Sequence, residues 1–291
     1  MFAVASKTGP LESLPLRFRI RLQSRHIPLM LTAFSLLPFV LFSISPETLA
    51  PYDPLMISVK ERLQPPSSAH WFGTDELGRD VYSRVLYGTR VSLISASIII
   101  ALAAVVGISV GTTAGYFGGW IDRIIVTITD MVLAFPAIIL AMAVATTLGS
   151  GIQNAVLAIA AVSWPVYARL VRGLTLQLRQ EEFVQAAYVV GCSWLRVIRK
   201  HILPNMLSSI VIRISLDVGF AILSLASLGF IGLGATAPTP EWGVMVSVSR
   251  IYFLTEWWIG FFPALAITLL VVLTTLAGDE LNDLWNPARK S

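Results

Sequence analysis

The sequence contains few charged residues and almost no cysteine. Only 13% of its 291 residues are charged, whereas 55% are hydrophobic. A chain with so little charge cannot cover an ordinary water-exposed surface, which excludes a soluble globular protein. The single cysteine, Cys192, excludes an intrachain disulfide framework and is interpreted as a small packing residue.

Motifs for chemistry are also absent. The sequence has no Gly-x-x-x-x-Gly-Lys-Ser/Thr phosphate loop, no Gly-x-Ser-x-Gly elbow and no His-Glu-x-x-His metal pair. Its three histidines, His26, His70 and His201, are too scattered to form an obvious ligand set. We therefore expect a protein that is not an enzyme and that holds no metal or cofactor of its own.

Long apolar runs are abundant instead. A helix needs roughly 20 apolar residues to cross a bilayer, because backbone amides cannot stay unpaired in hydrocarbon. Six stretches meet this requirement and leave no soluble domain, so we predict an all-α polytopic membrane protein with about six transmembrane helices. The predicted spans are Ile27 to Ser45, Val91 to Gly115, Ile124 to Leu148, Ile152 to Val171, Met206 to Leu233 and Trp257 to Gly278.

The distribution of basic residues predicts the orientation. The net charge of +4 could suggest a nucleic-acid partner, but the basic residues lie in short clusters between apolar runs, so no nucleic acid is expected. Positive loops tend to stay in the cytoplasm. This rule places the N-terminal segment 1–26 and the tail 279–291 inside, and the segment 46–90 outside. A secretory signal is the alternative for the first span, but the long run interrupted by Pro38 favours a retained anchor.

An amphipathic cytoplasmic segment separates the fourth and fifth spans. Gly191, which can take the left-handed conformation at a helix C-terminus, divides it into two predicted short helices, Glu181 to Val190 and Trp194 to Lys200, with Ser193 as the cap of the second helix. Pro204 then opens the fifth span. On the first helix, Phe183, Ala186, Ala187 and Val190 share one face that is shallow at its alanines. Such a helix suits a groove on a partner protein or the membrane interface, and periodicity leaves both possibilities open.

Three polar or helix-bending residues inside the predicted spans require an explanation. Arg213 and Asp217, four residues apart in the fifth span, can pair on one face. A structural ion pair and the lining of a polar pathway are equally compatible with this spacing. Pro136 is expected to bend the third span.

The cytoplasmic segment resembles the coupling loop of bacterial binding-protein-dependent ABC importer permeases. The matching residues are Glu182-Phe183-Val184-Gln185-Ala186-Ala187, Gly191 and His201-Ile202-Leu203-Pro204-Asn205. Further motifs are similar to the dipeptide, oligopeptide and nickel permease subfamily. They are Trp71-Phe72-Gly73-Thr74-Asp75-Glu76-Leu77-Gly78-Arg79-Asp80-Val81, Gly115-Tyr116-Phe117-Gly118-Gly119-Trp120-Ile121-Asp122-Arg123, Phe230-Ile231-Gly232-Leu233-Gly234 and Pro238-Thr239-Pro240-Glu241-Trp242-Gly243. The sequence departs from the pattern at Gln185, where a glutamate is usual.

The resemblance implies a type I ABC importer permease in the bacterial inner membrane, with its core at 91–278 and its coupling loop at 181–205. Partners would be a homologous second permease, two ATP-binding subunits that carry ATP and Mg²⁺, an extracytoplasmic solute-binding protein and the surrounding lipid. The residues implied to couple to the ATPases are Glu182, Phe183, Gln185, Ala186, Ala187, Gly191, His201 and Pro204. The expected cargo is a di- or oligopeptide, with nickel, glutathione or another small solute as alternatives.

Two other classes of function compete with this interpretation. A self-contained secondary transporter would need internal repeats and a set of intramembrane charges for ion coupling, and neither is clear in the sequence. An intramembrane enzyme would need convergent nucleophiles or metal ligands, and none stands out.

Overall fold

A computed structural model describes residues 26–285 of the chain. The predicted cytoplasmic segment 1–26 lies almost wholly outside this range, as do the last six residues of the predicted tail. Within residues 26–285 the fold is a bundle of helices without a β-strand. The all-α prediction is therefore confirmed for the described part of the chain.

Nine helices make up the bundle in this range, besides three short helical segments. They are α1 His26–Ile44, α2 Val81–Phe117, α3 Gly119–Leu133, α4 Ala137–Leu148, α5 Ile152–Leu178, α6 Glu182–Val189, α7 Trp194–Ile231, α8 Trp242–Ser249 and α9 Trp258–Trp285. The short segments are Pro46–Leu49, Val59–Glu61 and Arg250–Tyr252. The segment between α1 and α2 is otherwise an extended, ordered loop.

The number of helices able to span a membrane is smaller than the six predicted. Four helices in the described range are long and apolar enough, namely α2, α5, α7 and α9, and the bent pair α3 and α4 can supply a fifth. Helix α1, the first predicted span, is 19 residues long, close to the roughly 20 residues that a straight crossing requires.

The third predicted span is broken at Pro136. Helix α3 ends at Leu133, α4 begins at Ala137, and the two axes differ by 91°. Proline lacks the amide hydrogen for a helical bond, and it also disfavours helical geometry at the residue before it, here Phe135. The bend predicted from Pro136 is confirmed, and it is sharp enough to form an elbow.

The second predicted span begins earlier than expected. Helix α2 starts at Val81, not Val91, so the last ten residues of the predicted outer segment belong to it. Asp80 caps this start, because its carboxylate accepts a hydrogen bond from the Ser83 amide at 2.7 Å. The residues before Val81 form a loop, and α2 follows it directly.

Glycines allow α2 and α5 to approach each other closely. Gly107, Gly111 and Gly115 recur every four residues on the face of α2 that meets α5. A methyl group on Gly115 would lie 2.7 Å from the Thr175 β-carbon, and one on Gly111 would overlap the Ala168 carbonyl oxygen. Small residues at this spacing permit helix contact through backbone atoms, which drives packing where no hydrophobic effect operates.

We expect Gly111→Ala to destabilise the bundle, because the new methyl group meets backbone that cannot move aside by changing a rotamer. Overpacking of this kind costs about 1–3 kcal/mol. Gly173→Ala on α5 is the matched control, since its methyl group would enter open space. Alanine there should be neutral or stabilising by roughly 0.5–1 kcal/mol. Thermal unfolding of both purified variants in detergent measures the difference, and equal melting temperatures would contradict this account.

Candidate functional site

The cytoplasmic segment predicted at 181–205 begins with one short helix, α6. Its C-terminal end is closed by Gly191, whose φ of +83° is the left-handed conformation predicted for it. The Gly191 amide donates to the Tyr188 carbonyl at 2.9 Å, and the Cys192 amide donates to the Ala187 carbonyl at 3.0 Å. These two bonds form a Schellman motif, which satisfies the last carbonyls of α6 and turns the chain towards α7.

The second short helix predicted at Trp194 to Lys200 is wrong in length. Helix α7 starts at Trp194 and continues to Ile231 through a π-helical turn at Ile198–Ile202. Pro204 has no amide hydrogen, and the wider turn before it keeps the helix continuous, with the Leu203 amide bonded to the Ile198 carbonyl. Pro204 therefore lies inside the long helix. Ser193 occupies the cap position but makes no side-chain capping bond.

The apolar face predicted on α6 is divided between two environments. Ala187, 8% exposed, packs inward together with the fully buried Val184. Phe183, Ala186 and Val190 are exposed, and Val190 retains 84% of its accessible surface. The predicted shared face is therefore wrong for Ala187, because the helix needs an inward side to attach to the bundle. The three exposed residues remain available for a partner.

An apolar cluster anchors α6 to three long helices. It combines Val184 and Ala187 of α6 with residues of α2, α5 and α7 at the same end of the bundle. These are Tyr116, Val171, Val197, Ile198, Ile202, Met206 and Ile210. His201 lies in the π turn of α7, and its ring centroid is 6.5 Å from that of Phe183. Any force on α6 would therefore be applied directly to α2, α5 and α7.

Gln185 has an intramolecular role that explains part of its departure from the family pattern. Its side-chain amide donates a hydrogen bond of 2.7 Å to the Arg179 carbonyl, just beyond the end of α5. An ionised glutamate has no hydrogen to donate and could not make this bond. Glu182 lies in the first turn of α6 with its side chain exposed, where a negative charge favours the helix N-terminus.

Arg213 and Asp217 pair near the middle of α7. The Arg213 Nε is 2.9 Å from Asp217 Oδ2, and Nη2 is 2.8 Å from Oδ1, so the contact is bidentate. Both residues also line a cavity of about 270 Å³ between α2, α5, α7 and the α3–α4 elbow. The two interpretations left open by the sequence are therefore compatible, since the ion pair forms and faces a cavity.

Two further ion pairs tie α5 to α3 and were not predicted from the sequence. Arg172 contacts both carboxylate oxygens of Asp122 at 2.5 and 2.6 Å, and Arg169 contacts Asp130 at 2.5 Å. Asp130 and Arg169 are largely exposed. The two acidic residues lie eight positions apart on α3 and the two basic residues three positions apart on α5, so their spacing gives no signal, and only the fold makes the two helices neighbours.

The outer loop and the segment before α8 form a polar cap at the other end of the bundle. The buried Arg79 contacts Asp75 at 2.7 Å, and His70 contacts Asp80 at 2.9 Å. Trp242 is fully buried, and its indole donates to the Val85 carbonyl at 3.0 Å. The sequence motifs around Trp71 and Glu241 therefore both belong to this polar cap.

Glu241 caps α8 from a buried position. Its carboxylate oxygens accept hydrogen bonds of 2.9 Å from the Gly243 and Val244 amides. Burial raises the pKa of the Glu241 carboxyl, and the two amide bonds oppose that rise. Asp75 and Glu241 each satisfy backbone amides of the cap, so these motif residues hold the outer end of the bundle together.

The described architecture is a helical bundle with an exposed amphipathic helix at one end, a mostly apolar cavity with a few polar side chains inside and a polar cap at the other end. Residues 107–291 match the family described as binding-protein-dependent transport system inner membrane component. The chain belongs to this family of ABC importer permeases.

The relatives that the chain matches cover most of its length. It is 46% identical over 261 residues to the probable D,D-dipeptide transport system permease protein DdpC of Escherichia coli, which covers 89% of this chain and 88% of the relative. It is 44% identical to the dipeptide transport system permease protein DppC of Alkalihalophilus pseudofirmus, with 87% and 83% covered. It is 42% identical to the glutathione transport system permease protein GsiD of Pectobacterium atrosepticum, with 93% and 90% covered.

A solved structure shares the fold. The chain superimposes on a chain of the methionine ABC transporter MetNI in an inward-facing conformation with a TM-score of 0.55 and 19% identity. The match covers 67% of this chain and 93% of the other. At this identity the likeness concerns the fold, and it confirms the prediction of an ABC importer permease fold.

We expect Gln185→Glu to loosen α6, because the carboxylate cannot donate to the Arg179 carbonyl and leaves that oxygen without its side-chain partner. Loss of one such bond costs about 0.5–1.5 kcal/mol. Hydrogen–deuterium exchange should show faster exchange of the α6 amides at pH 7. Gln177→Glu, an exposed position on α5, controls for the added charge. Unchanged protection of α6 in the Gln185 variant would contradict the proposed bond.

Proposed function

We propose that this chain is one of two permease subunits in an ATP-driven importer of di- and oligopeptides, and that separate ATPase subunits drive it through the segment 181–205. ATP and Mg²⁺ would be bound by those ATPases and not by this chain. A homologous second permease would complete the translocation pathway. An extracytoplasmic binding protein would deliver the cargo to the outer cap, and both termini would be cytoplasmic.

The observation that carries the proposal is the two-sided environment of α6. One side, with Val184 and Ala187, is packed into the ends of the long helices, and the other side leaves Phe183, Ala186 and Val190 exposed. A helix that only rested on lipid would not need such attachment to three spans. Apolar exposure on a firmly attached helix suits docking in a groove of a protein partner.

The small size of Ala186 supports close docking at the centre of the exposed face. Phe183 and Val190 stand one turn to either side of it and would fill pockets of the partner. Rotation of an ATPase would then displace α6 together with the inner ends of α2, α5 and α7. Such a displacement changes the relative positions of the helices around the pathway, as alternating access requires.

The cargo is assigned from the relatives. Those with the highest identities among the ones described above are named for D,D-dipeptide and dipeptide transport. Glutathione is the second candidate, because the permease named for it covers 93% of this chain at 42% identity. Both candidates are small peptides with a free carboxylate and a free ammonium group.

A secondary transporter would instead show uptake by this chain alone in liposomes with an ion gradient.

We expect Ala186→Trp to abolish copurification of the ATPase subunits and ATP-dependent uptake, while the permease keeps its melting temperature. The indole would project from an exposed position into the docking surface. Ala187→Trp is the matched comparison, and it should lower the melting temperature because Ala187 is buried against the bundle. Ala186→Ser controls for the loss of alanine itself. An Ala186→Trp complex that retains its ATPases and its uptake would contradict the coupling role.

The proposed orientation can be tested with two single-cysteine variants in a Cys192→Ser background. Val189 of α6 and Leu254 of the loop before α9 are 88% and 95% exposed, at opposite ends of the bundle. A membrane-impermeant maleimide should label Val189→Cys only in inside-out vesicles and Leu254→Cys only in right-side-out cells. The reverse pattern would place α6 outside the cell and would remove it from any cytoplasmic ATPase.

A further inference from the structure

The cavity beside Arg213 and Asp217 has the composition of a ligand site. Most of its wall is apolar and includes Ile99, Val162 and Phe220. Its polar side chains are Ser163 and Tyr167 of α5, together with Arg213 and Asp217 of α7. An apolar pocket with a few convergent polar groups is the usual form of a small-molecule site.

The position of the cavity also suits a transporter. The elbow between α3 and α4 forms part of its wall, through Leu133, Phe135 and Ala137. Membrane transporters often bind their cargo where a helix is interrupted, because irregular backbone is tolerated at a cavity and not against lipid. The 91° break at Pro136 therefore places irregular backbone at the wall of the cavity.

The Tyr167 hydroxyl lacks a partner in the described part of the chain. The residue is only 1% exposed, and its oxygen is buried without a hydrogen bond. The Asp217 carboxylate lies beside the phenol and interacts with it, although the contact is not a fully formed hydrogen bond. A buried hydroxyl on the wall of a cavity can therefore donate to a group that occupies the cavity.

The ion pair retains unused binding capacity. Asp217 engages Nε and Nη2 of Arg213, and a guanidinium carries five N–H donors in total. The remaining donors can bind a carboxylate without breaking the pair. The Asp217 oxygens each have a further acceptor site, which an ammonium group can use. The Arg213 side chain is 38% exposed, so its free edge is accessible.

We propose that this cavity is an intramembrane subsite for a short zwitterionic peptide. Arg213 binds the peptide carboxylate, Asp217 binds its ammonium group, and the Tyr167 hydroxyl donates to a peptide carbonyl. The volume of about 270 Å³ lies just below the roughly 300–1,000 Å³ of sites for drug-sized ligands, and this suits a peptide of about two residues. The inference deepens the proposed function and rests on it, since it names the groups that the permease itself would recognise.

The test is direct binding of radiolabelled dialanine to the purified complex of permeases and ATPases in lipid nanodiscs, without binding protein. We expect saturable binding that unlabelled dialanine displaces, and that N-acetyl-dialanine and dialanine amide displace roughly tenfold less well, because each analogue lacks one charged end. Asp217→Asn and Arg213→Gln should abolish this binding. Tyr167→Phe, which keeps the shape of the side chain, should weaken it several-fold.

Tyr116→Phe is the matched control, because Tyr116 is also a buried tyrosine but belongs to the apolar cluster at the inner end of the bundle. It should bind dialanine as the unaltered complex does. The absence of saturable binding, or equal binding by the Tyr167 and Tyr116 variants, would overturn the subsite. ATP-driven uptake of peptide by the same complex with its binding protein tests the proposed function separately. Uptake without cavity binding overturns only the subsite, whereas no uptake of any peptide overturns both.

Discussion

The fold depends on one constraint, the need to pair every backbone amide and carbonyl group that is removed from water. Prolines disturb this pairing, because each lacks an amide hydrogen and leaves a helical carbonyl without its usual partner. Pro165 and Pro263 remain inside continuous helices, and Pro204 is accommodated by a π turn that keeps α7 continuous. At Pro136 the helix breaks by 91°. The accommodation of Pro204 keeps α7 as one long helix. The break at Pro136 forms part of the cavity wall.

Helix α7 connects the two sites. It starts next to the Schellman turn after α6, contributes to the apolar cluster that holds α6, and carries Arg213 and Asp217 into the cavity. About 20 residues separate Trp194 from Arg213, which is a distance of roughly 30 Å along an α-helix. One uninterrupted helix therefore joins the α6 end of the bundle to the cavity.

The sequence predicted the helical class, the family, the left-handed Gly191 and the bend at Pro136, because each has a local cause. It did not predict that Ala187 turns inward while Ala186 stays exposed, since periodicity defines a face but not its neighbours. The length of α7 was missed because a proline is usually taken as a helix boundary, and the π turn that accommodates Pro204 has no sequence signature of its own. The start of α2 was missed because hydropathy detects the apolar part of a helix, whereas the Asp80 cap lies eleven residues before the predicted start at Val91.

The close packing of α2 against α5 limits how the bundle can move. Three glycines bring the backbones of α2 and α5 close together along this interface. Ion pairs from Arg169 and Arg172 connect α3 to the same helix α5. Helices α2, α3 and α5 are therefore closely connected. Packing is looser at the cavity between these helices and α7, and Arg213 and Asp217 line this cavity.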